Sequence, residues 1–189
     1  GTPDNDNTGS VAVDASGNAY ISGHTTGSLA GTNVGDEDAF LAKYDASGNL
    51  LWSRQMGTSS RDYSRSVAVD ASGNAYIAGQ TQGSLYGPNA GFYDAFLAKF
   101  DASGAEVWTK QMGTPGQDVG NSVATGASGD VYISGGSRGS LGGPNVDMYD
   151  AFLLKYDGWG NFLWSQQIGT FEHEESYSVA EDPSGNVYI

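Results

Sequence analysis

One period governs this chain. The dipeptide Gly-Thr at Gly1 returns at Gly57, Gly113 and Gly169, a step of 56 residues each time. "SVAVDASGNAYI" from Ser10 is repeated letter for letter from Ser66, and "SVATGASGDVYI" and "SVAEDPSGNVYI" follow in phase from Ser122 and Ser178. "DAFLAKYDASG" from Asp38 returns as "DAFLAKFDASG" from Asp94 and "DAFLLKYDGWG" from Asp150. A period of this length means one supersecondary unit reused in tandem. Such a unit cannot bury its apolar face alone and must stack on its neighbours. The units run 1–56, 57–112 and 113–168, and residues 169–189 are the first part of a fourth.

Inside a unit the apolar residues alternate with period two. Val11 and Val13 share a face. Ala19, Ile21 and Gly23 oppose Tyr20 and Ser22, and Phe40, Ala42 and Tyr44 oppose Leu41 and Lys43. No stretch has helical spacing over ten residues or more. The pattern predicts four short strands per unit, separated by turn signals. The recurrent "DASGN" joins the first strand to the second and the third to the fourth, so each pair is expected to be an antiparallel hairpin. Asp accepts backbone N–H bonds at the start of such a turn, and Gly supplies the positive φ that closes it. This assigns a structural task to Gly17, Gly48, Gly73, Gly104, Gly129 and Gly185. A calcium loop needs more carboxylates in alternation than DASGN offers, and Gly126 replaces its Asp in the third unit. The fold class expected is all-β: a β-propeller of four-stranded antiparallel blades, one blade per 56-residue repeat.

The run "S-V-A-V-D-x-S-G-N-x-Y-I-x-G" followed by "D-A-F-L-x-K-Y-D-x-x-G-x-x-x-W" resembles the SBBP repeat, a family named for a seven-bladed β-propeller. The likeness extends over the whole chain, unit after unit. It implies a large bacterial surface or secreted protein, and hence an extracellular or cell-surface location. "AKYDASGNLLW" (Ala42 to Trp52) also resembles the tryptophan-docking hairpin of quinoprotein-type propellers. That likeness implies that Trp52, Trp108 and Trp164 pack between neighbouring blades.

Composition narrows the partners. Eight Lys and Arg stand against 22 Asp and Glu, a formal net charge of −14. That balance argues against nucleic acid and against insertion into an anionic membrane, and favours protein or glycan partners. No apolar run reaches the ~20 residues of a membrane-spanning helix. With no Cys there are no disulfides and no thiolate metal sites. Both ends of the chain look cut, so further blades are expected, from the same native polypeptide or from a second copy. Two copies of fourteen strands would supply the strands of a seven-bladed ring.

Function is expected where the repeat is broken. In the long connection from the second strand to the third, the two residues before the periodic Asp change: Asp36 and Glu37, then Phe92 and Tyr93, then Met148 and Tyr149. Phe92, Tyr93, Met148 and Tyr149 are candidates to stack on a sugar or grip a peptide, or else to pack on the next blade. Trp159 is the only off-period Trp and stands in a hairpin turn where other units carry a smaller residue, so it is a candidate ligand contact. Asp6, Asp62, Asp118 and Glu174 share one repeat position. They are candidates for a carboxylate ring that draws Ca²⁺ or a cationic ligand, or for a plain solvated rim. No G-x-S-x-G, H-E-x-x-H or P-loop is present. The expectation is therefore a non-enzymatic binding scaffold without a cofactor. The alternatives are a lectin-like carbohydrate binder and a piece of a larger propeller hydrolase or lyase.

Overall fold

The computed structural model describes residues 1–189 and is all-β. Blade one holds β1 (Asp6–Val13), β2 (Ala19–Thr25), β3 (Asp38–Tyr44) and β4 (Leu50–Met56). Blade two holds β5 (Asp62–Val69), β6 (Ala75–Thr81), β7 (Asp94–Phe100) and β8 (Glu106–Met112). Blade three holds β9 (Asp118–Thr125), β10 (Val131–Ser137), β11 (Asp150–Tyr156) and β12 (Phe162–Ile168). A final hairpin pairs β13 (Ala180–Glu181) with β14 (Val187–Tyr188). Each blade is a simple antiparallel meander with strands in chain order.

Every DASGN-type segment is a tight turn. In the first, Gly17 N–H donates to the Asp14 carbonyl at 3.0 Å, and the Asp14 carboxylate accepts from the Ser16 and Asn18 backbone N–H groups. The Asn18 side-chain amide closes the other carboxylate oxygen at 2.8 Å. Gly17 stands at φ +80°, which a residue with a Cβ resists. The carboxylate is saturated by its own turn, which leaves it little reason to hold an ion.

The blades stack face to face, so the central strands are buried on both sides. Alternation therefore records which neighbour a side chain meets, not whether it is buried. In β7, Phe96, Ala98 and Phe100 pack on Tyr20, Ala39 and Leu41 of blade one. Ala95 and Leu97 of the same strand pack with Val123, Val131, Ile133 and Phe152 of blade three. The first strands of successive blades converge. Ser66 Oγ accepts from Val123 N–H and Ser122 Oγ from Val179 N–H, both at 3.2 Å. Each first strand carries a bulge at Gly9, Arg65 or Asn121, which adds twist where the blades meet. The outer strands bulge as well, which turns Leu51, Val107 and Leu163 toward solvent.

The two end blades show what the seams conceal. Val11 of blade one is 62% exposed, whereas its repeat mate Val67 is 5% exposed beneath the blade before it. The leading face of blade one is thus an exposed apolar surface.

Candidate functional site

Three periodic features shape each blade, and the first of them reaches into the next. The first is a row across the sheet. Lys43 lies between Tyr20 and Trp52 in register, as Lys99 lies between Tyr76 and Trp108 and Lys155 between Tyr132 and Trp164. Each ammonium sits over its tyrosine ring at 4.8 to 5.2 Å, a cation–π contact. The indoles reach across the seam. Trp52 Nε1 donates to the Ala102 carbonyl at 3.1 Å and Trp108 Nε1 to the Gly158 carbonyl at 3.3 Å, each in a hairpin turn of the following blade. Trp164 keeps its place in the row, beside Tyr132 and Val187.

The second feature is a glutamine that the repeat displays but that composition and motif gave no reason to single out. Gln55 donates to Asp38 Oδ2 at 2.9 Å and to the Gly27 carbonyl, and accepts from Leu29 and Ala30 N–H. Gln111 and Gln167 make the corresponding bonds to Asp94 and Asp150. These glutamines moor the long loops. The other oxygens of Asp38, Asp94 and Asp150 are buried without a partner, pressed against Gly57, Gly113 and Gly169. A Cβ at those glycines would overlap the carboxylate, which explains the period's invariant glycine.

The third feature overturns the carboxylate ring. Asp62 and Asp118 are fully buried and do not line a rim. Asp62 Oδ2 accepts from the backbone N–H and hydroxyl of Thr58, and Asp118 Oδ2 from those of Thr114. Asp6 serves Thr2 and Thr25 in the same way, and Glu174 serves Thr170. Each carboxylate closes the entry loop of its own blade, and no group of three or more His, Cys, Asp or Glu side chains stands close enough to hold a metal ion. Burial raises the carboxyl pKa of Asp62 and Asp118 against the hydrogen bonds that lower it. In the more open Asp6 and Glu174 the hydrogen bonds prevail and lower it.

The off-period residues divide between the two ends of the blades. At the loop end the two variable pairs Phe92–Tyr93 and Met148–Tyr149 split. Tyr93 and Tyr149 are buried in the seams, Tyr93 beside Tyr63 and Tyr149 beside His173 with Arg138 over its ring at 4.7 Å. They are not free to stack on a sugar. Phe92 and Met148 point outward, 63% and 52% exposed. Val34, Tyr86 and Val146 are also exposed on these loops, so the loop end carries a series of apolar side chains on a moored frame.

Beneath those loops lies a group whose members are scattered through the sequence. The Tyr63 hydroxyl donates to Glu37 Oε2, while His24 Nε2 lies 3.8 Å from Glu37 Oε1 and Arg61 Nε 3.6 Å from Oε2. Burial chiefly lowers the His24 pKa against the pull of Glu37. Burial and the Glu37 hydrogen bond raise the pKa of Tyr63. A second group stands at the last seam, where Glu175 accepts from Asn121 at 2.7 Å and Tyr177 at 3.0 Å with His173 at 3.4 Å. Each polar group here is turned toward another, and the pattern ties blades together with residues that the repeat does not dictate. The one sequence signal for it was the departure of His24, Glu37 and His173 from the period.

At the turn end Trp159 is 82% exposed in the hairpin between β11 and β12. It borders a groove between blades two and three whose floor is the Tyr76–Lys99–Trp108 row.

Meandering four-stranded sheets stacked through a shared apolar seam define the chain as built from β-propeller blades. The SBBP family, described as a beta-propeller repeat, matches residues 51–87, which run from β4 across the seam into the loop after β6. Regulatory protein FlaEY of Caulobacter vibrioides is 31% identical over 167 residues, spanning 79% of this chain and 18% of that protein. An uncharacterized WD repeat-containing protein, L264 of Acanthamoeba polyphaga mimivirus, is 27% identical over 184 residues, spanning 80% of this chain and 13% of that protein. The chain thus spans less than a fifth of either relative's length. The crystal structure of a protein of unknown function from Bacteroides caccae superposes with a TM-score of 0.51 at 12% identity, covering 95% of this chain and 51% of that one. That likeness bears on fold alone.

Proposed function

We propose that the chain is part of a larger, non-enzymatic β-propeller that serves a bacterial surface or secreted protein as an interaction scaffold, with its protein partner bound at the loop end. The observation that carries the reading is the exposed apolar series Val34, Phe92, Val146 and Met148, held on loops that Gln55, Gln111 and Gln167 moor from below. Exposed apolar side chains on a rigid frame are the usual mark of a protein-binding surface. The names of the curated relatives, one regulatory and one WD-repeat, favour binding over catalysis.

The apolar leading face of blade one, where Val11 is exposed, is a surface on which a further blade docks, from the same polypeptide or from a second copy.

Photo-crosslinkers placed at Phe92 and Met148, with Ser16 at the turn end as control, test the assignment in the native host. The loop positions are expected to yield one recurrent protein adduct that Ser16 does not. Equal adducts from both ends refute it. Light scattering tells the two sources apart: a stable dimer points to a second copy, and a single-chain mass points to a blade of the same polypeptide.

A further inference from the structure

The groove at the turn end differs from its counterpart one seam earlier. At the first seam the Tyr20 hydroxyl crosses to the Gly73 carbonyl at 3.1 Å, and Lys43 stays 3.7 Å from Asp14 on its own blade. The space left there is about 220 Å³. At the second seam the Tyr76 hydroxyl stays on its own blade with Asp70 at 3.2 Å, while Lys99 crosses to the Gly158 carbonyl at 2.7 Å. The cavity grows to about 700 Å³. Two adjacent breaks in the repeat accompany the change. Gly158 stands where blade two has Ala102, which removes a methyl group from the wall, and Trp159 stands where blade two has Ser103.

Trp159 has no ring partner among the aromatic contacts of the fold, and its backbone N–H is held by Asp157 at 2.9 Å. An indole left in water beside a wide groove is poorly explained by packing. The groove walls are mixed in hydrogen-bonding character. Both bonds to Asp130, from Lys155 at 2.7 Å and Ser128 at 2.6 Å, fall on Oδ2, so Oδ1 is available as an acceptor. Lys99 uses one N–H on Gly158 and keeps others. Asn74 completes the far wall. Both walls belong to blades that this chain contains whole, unlike the open faces at its ends.

We propose that this groove binds a neutral pyranose sugar, stacked on Trp159 and hydrogen-bonded to Asp130, Lys99 and Asn74. A pyranose has an apolar C–H face to lay on an indole. Its rim of hydroxyls both donates and accepts, which is what a wall of carboxylate, ammonium and amide requires. The carboxylates of Asp130 and Asp157 disfavour an anionic ligand. The assignment rests on the reading of the chain as a binding module and names a ligand for its other end.

The test uses the purified chain and four probes: methyl α-glucopyranoside, methyl α-mannopyranoside, methyl β-galactopyranoside and N-acetylglucosamine. Each is titrated against the indole N–H resonances. At least one probe is expected to shift the Trp159 resonance saturably. Trp159→Ser, which restores the residue of blade two and so keeps the turn, weakens binding by about tenfold or more. Trp159→Phe keeps most of it. Gly158→Ala narrows the groove and weakens binding while the indole stays exposed. Absence of a saturable shift with all four probes overturns the proposal, and so does binding unchanged in Trp159→Ser. Sugar binding is read without any protein partner, so its failure leaves the loop-end assignment standing, and the converse also holds.

Discussion

Alanine at Gly104 and alanine at Gly48 separate backbone cost from blade docking. The two glycines occupy the same place in the β3–β4 and β7–β8 turns, at φ +83° for Gly48 and +81° for Gly104. A Cβ at Gly48 meets nothing within 4 Å, whereas at Gly104 it would come within 2.7 to 3.0 Å of the Trp52 ring. Both substitutions force an L-residue into the left-handed region, which costs about 1 kcal/mol after the loss of unfolded-state freedom is allowed for. Only Gly104→Ala adds overpacking, of the order of 1–3 kcal/mol. It would displace an indole whose Nε1 holds the Ala102 carbonyl at 3.1 Å, beside an Arg54 Nε that holds the Gly104 carbonyl at 2.6 Å. The expected losses are about 1 kcal/mol at Gly48 and about 2–4 kcal/mol at Gly104. Urea titration followed by circular dichroism reads both. Repeating Gly104→Ala in a Trp52→Ala background should bring its cost down to that of Gly48→Ala. Equal losses at the two glycines, or no relief without the indole, would refute the docking of Trp52 on the next blade's turn.

Other outcomes follow from the same structure. Gly113→Ala drives a methyl group into the buried Asp94 carboxylate and should cost more than the ~1 kcal/mol of an ordinary core change, read as a lower urea midpoint. Val67→Ser buries a hydroxyl in the first seam and should cost about 2–3 kcal/mol, while Val11→Ser on the open face should stay within about 0.5 kcal/mol. The carboxyls of Asp14, Asp45, Asp157 and Asp182 are lowered chiefly by the asparagine amide of their own turn. Their folded pKa values lie below the unfolded ones, so their contribution is present above the unfolded pKa and is lost as pH falls through the folded one. Asp62 and Asp118 have the opposite sign, because burial raises them, and acidification relieves their cost first. Burial lowers the His24 pKa, so its contribution falls as pH drops below about 6.5 and opposes theirs; urea midpoints should therefore change little from pH 7 to about 5 and fall below about pH 4, and Asp45→Asn should flatten the acid limb. A fall that begins above pH 6 would mean that other groups dominate.

Much of the frame was legible in the chain because repetition makes local chemistry visible several times over. Period-two runs and DASGN turns specify strands and hairpins from short-range sterics and hydrogen bonds alone. The carboxylate ring failed for a physical reason. Asp62 and Asp118 fall at a position where the chain enters a blade, and the unpaired N–H groups of that entry claim the carboxylate before any ion does. Of the two readings open for Tyr93 and Tyr149, packing on the next blade prevailed: a position next to a loop tip is the lid of a seam. Gln55 and its mates were in plain view but silent, since an amide in a strand has no meaning until the loop that it moors is placed 25 and 26 residues away.

By itself, then, the sequence determined the unit, its strands, its turns and the need of each unit for neighbours, all of which follow from backbone preferences and the burial of alternating side chains. Tertiary structure alone decided which side chains of different units meet. Stacking brought Glu37 to Tyr63 and His24, turned Tyr93 and Tyr149 inward, and opened the seam at Gly158 so that Trp159 borders a groove and not a wall. Those contacts depend on the angle and spacing of one blade against the next. That geometry is set by the summed packing of two whole faces and is written at no single position in the chain.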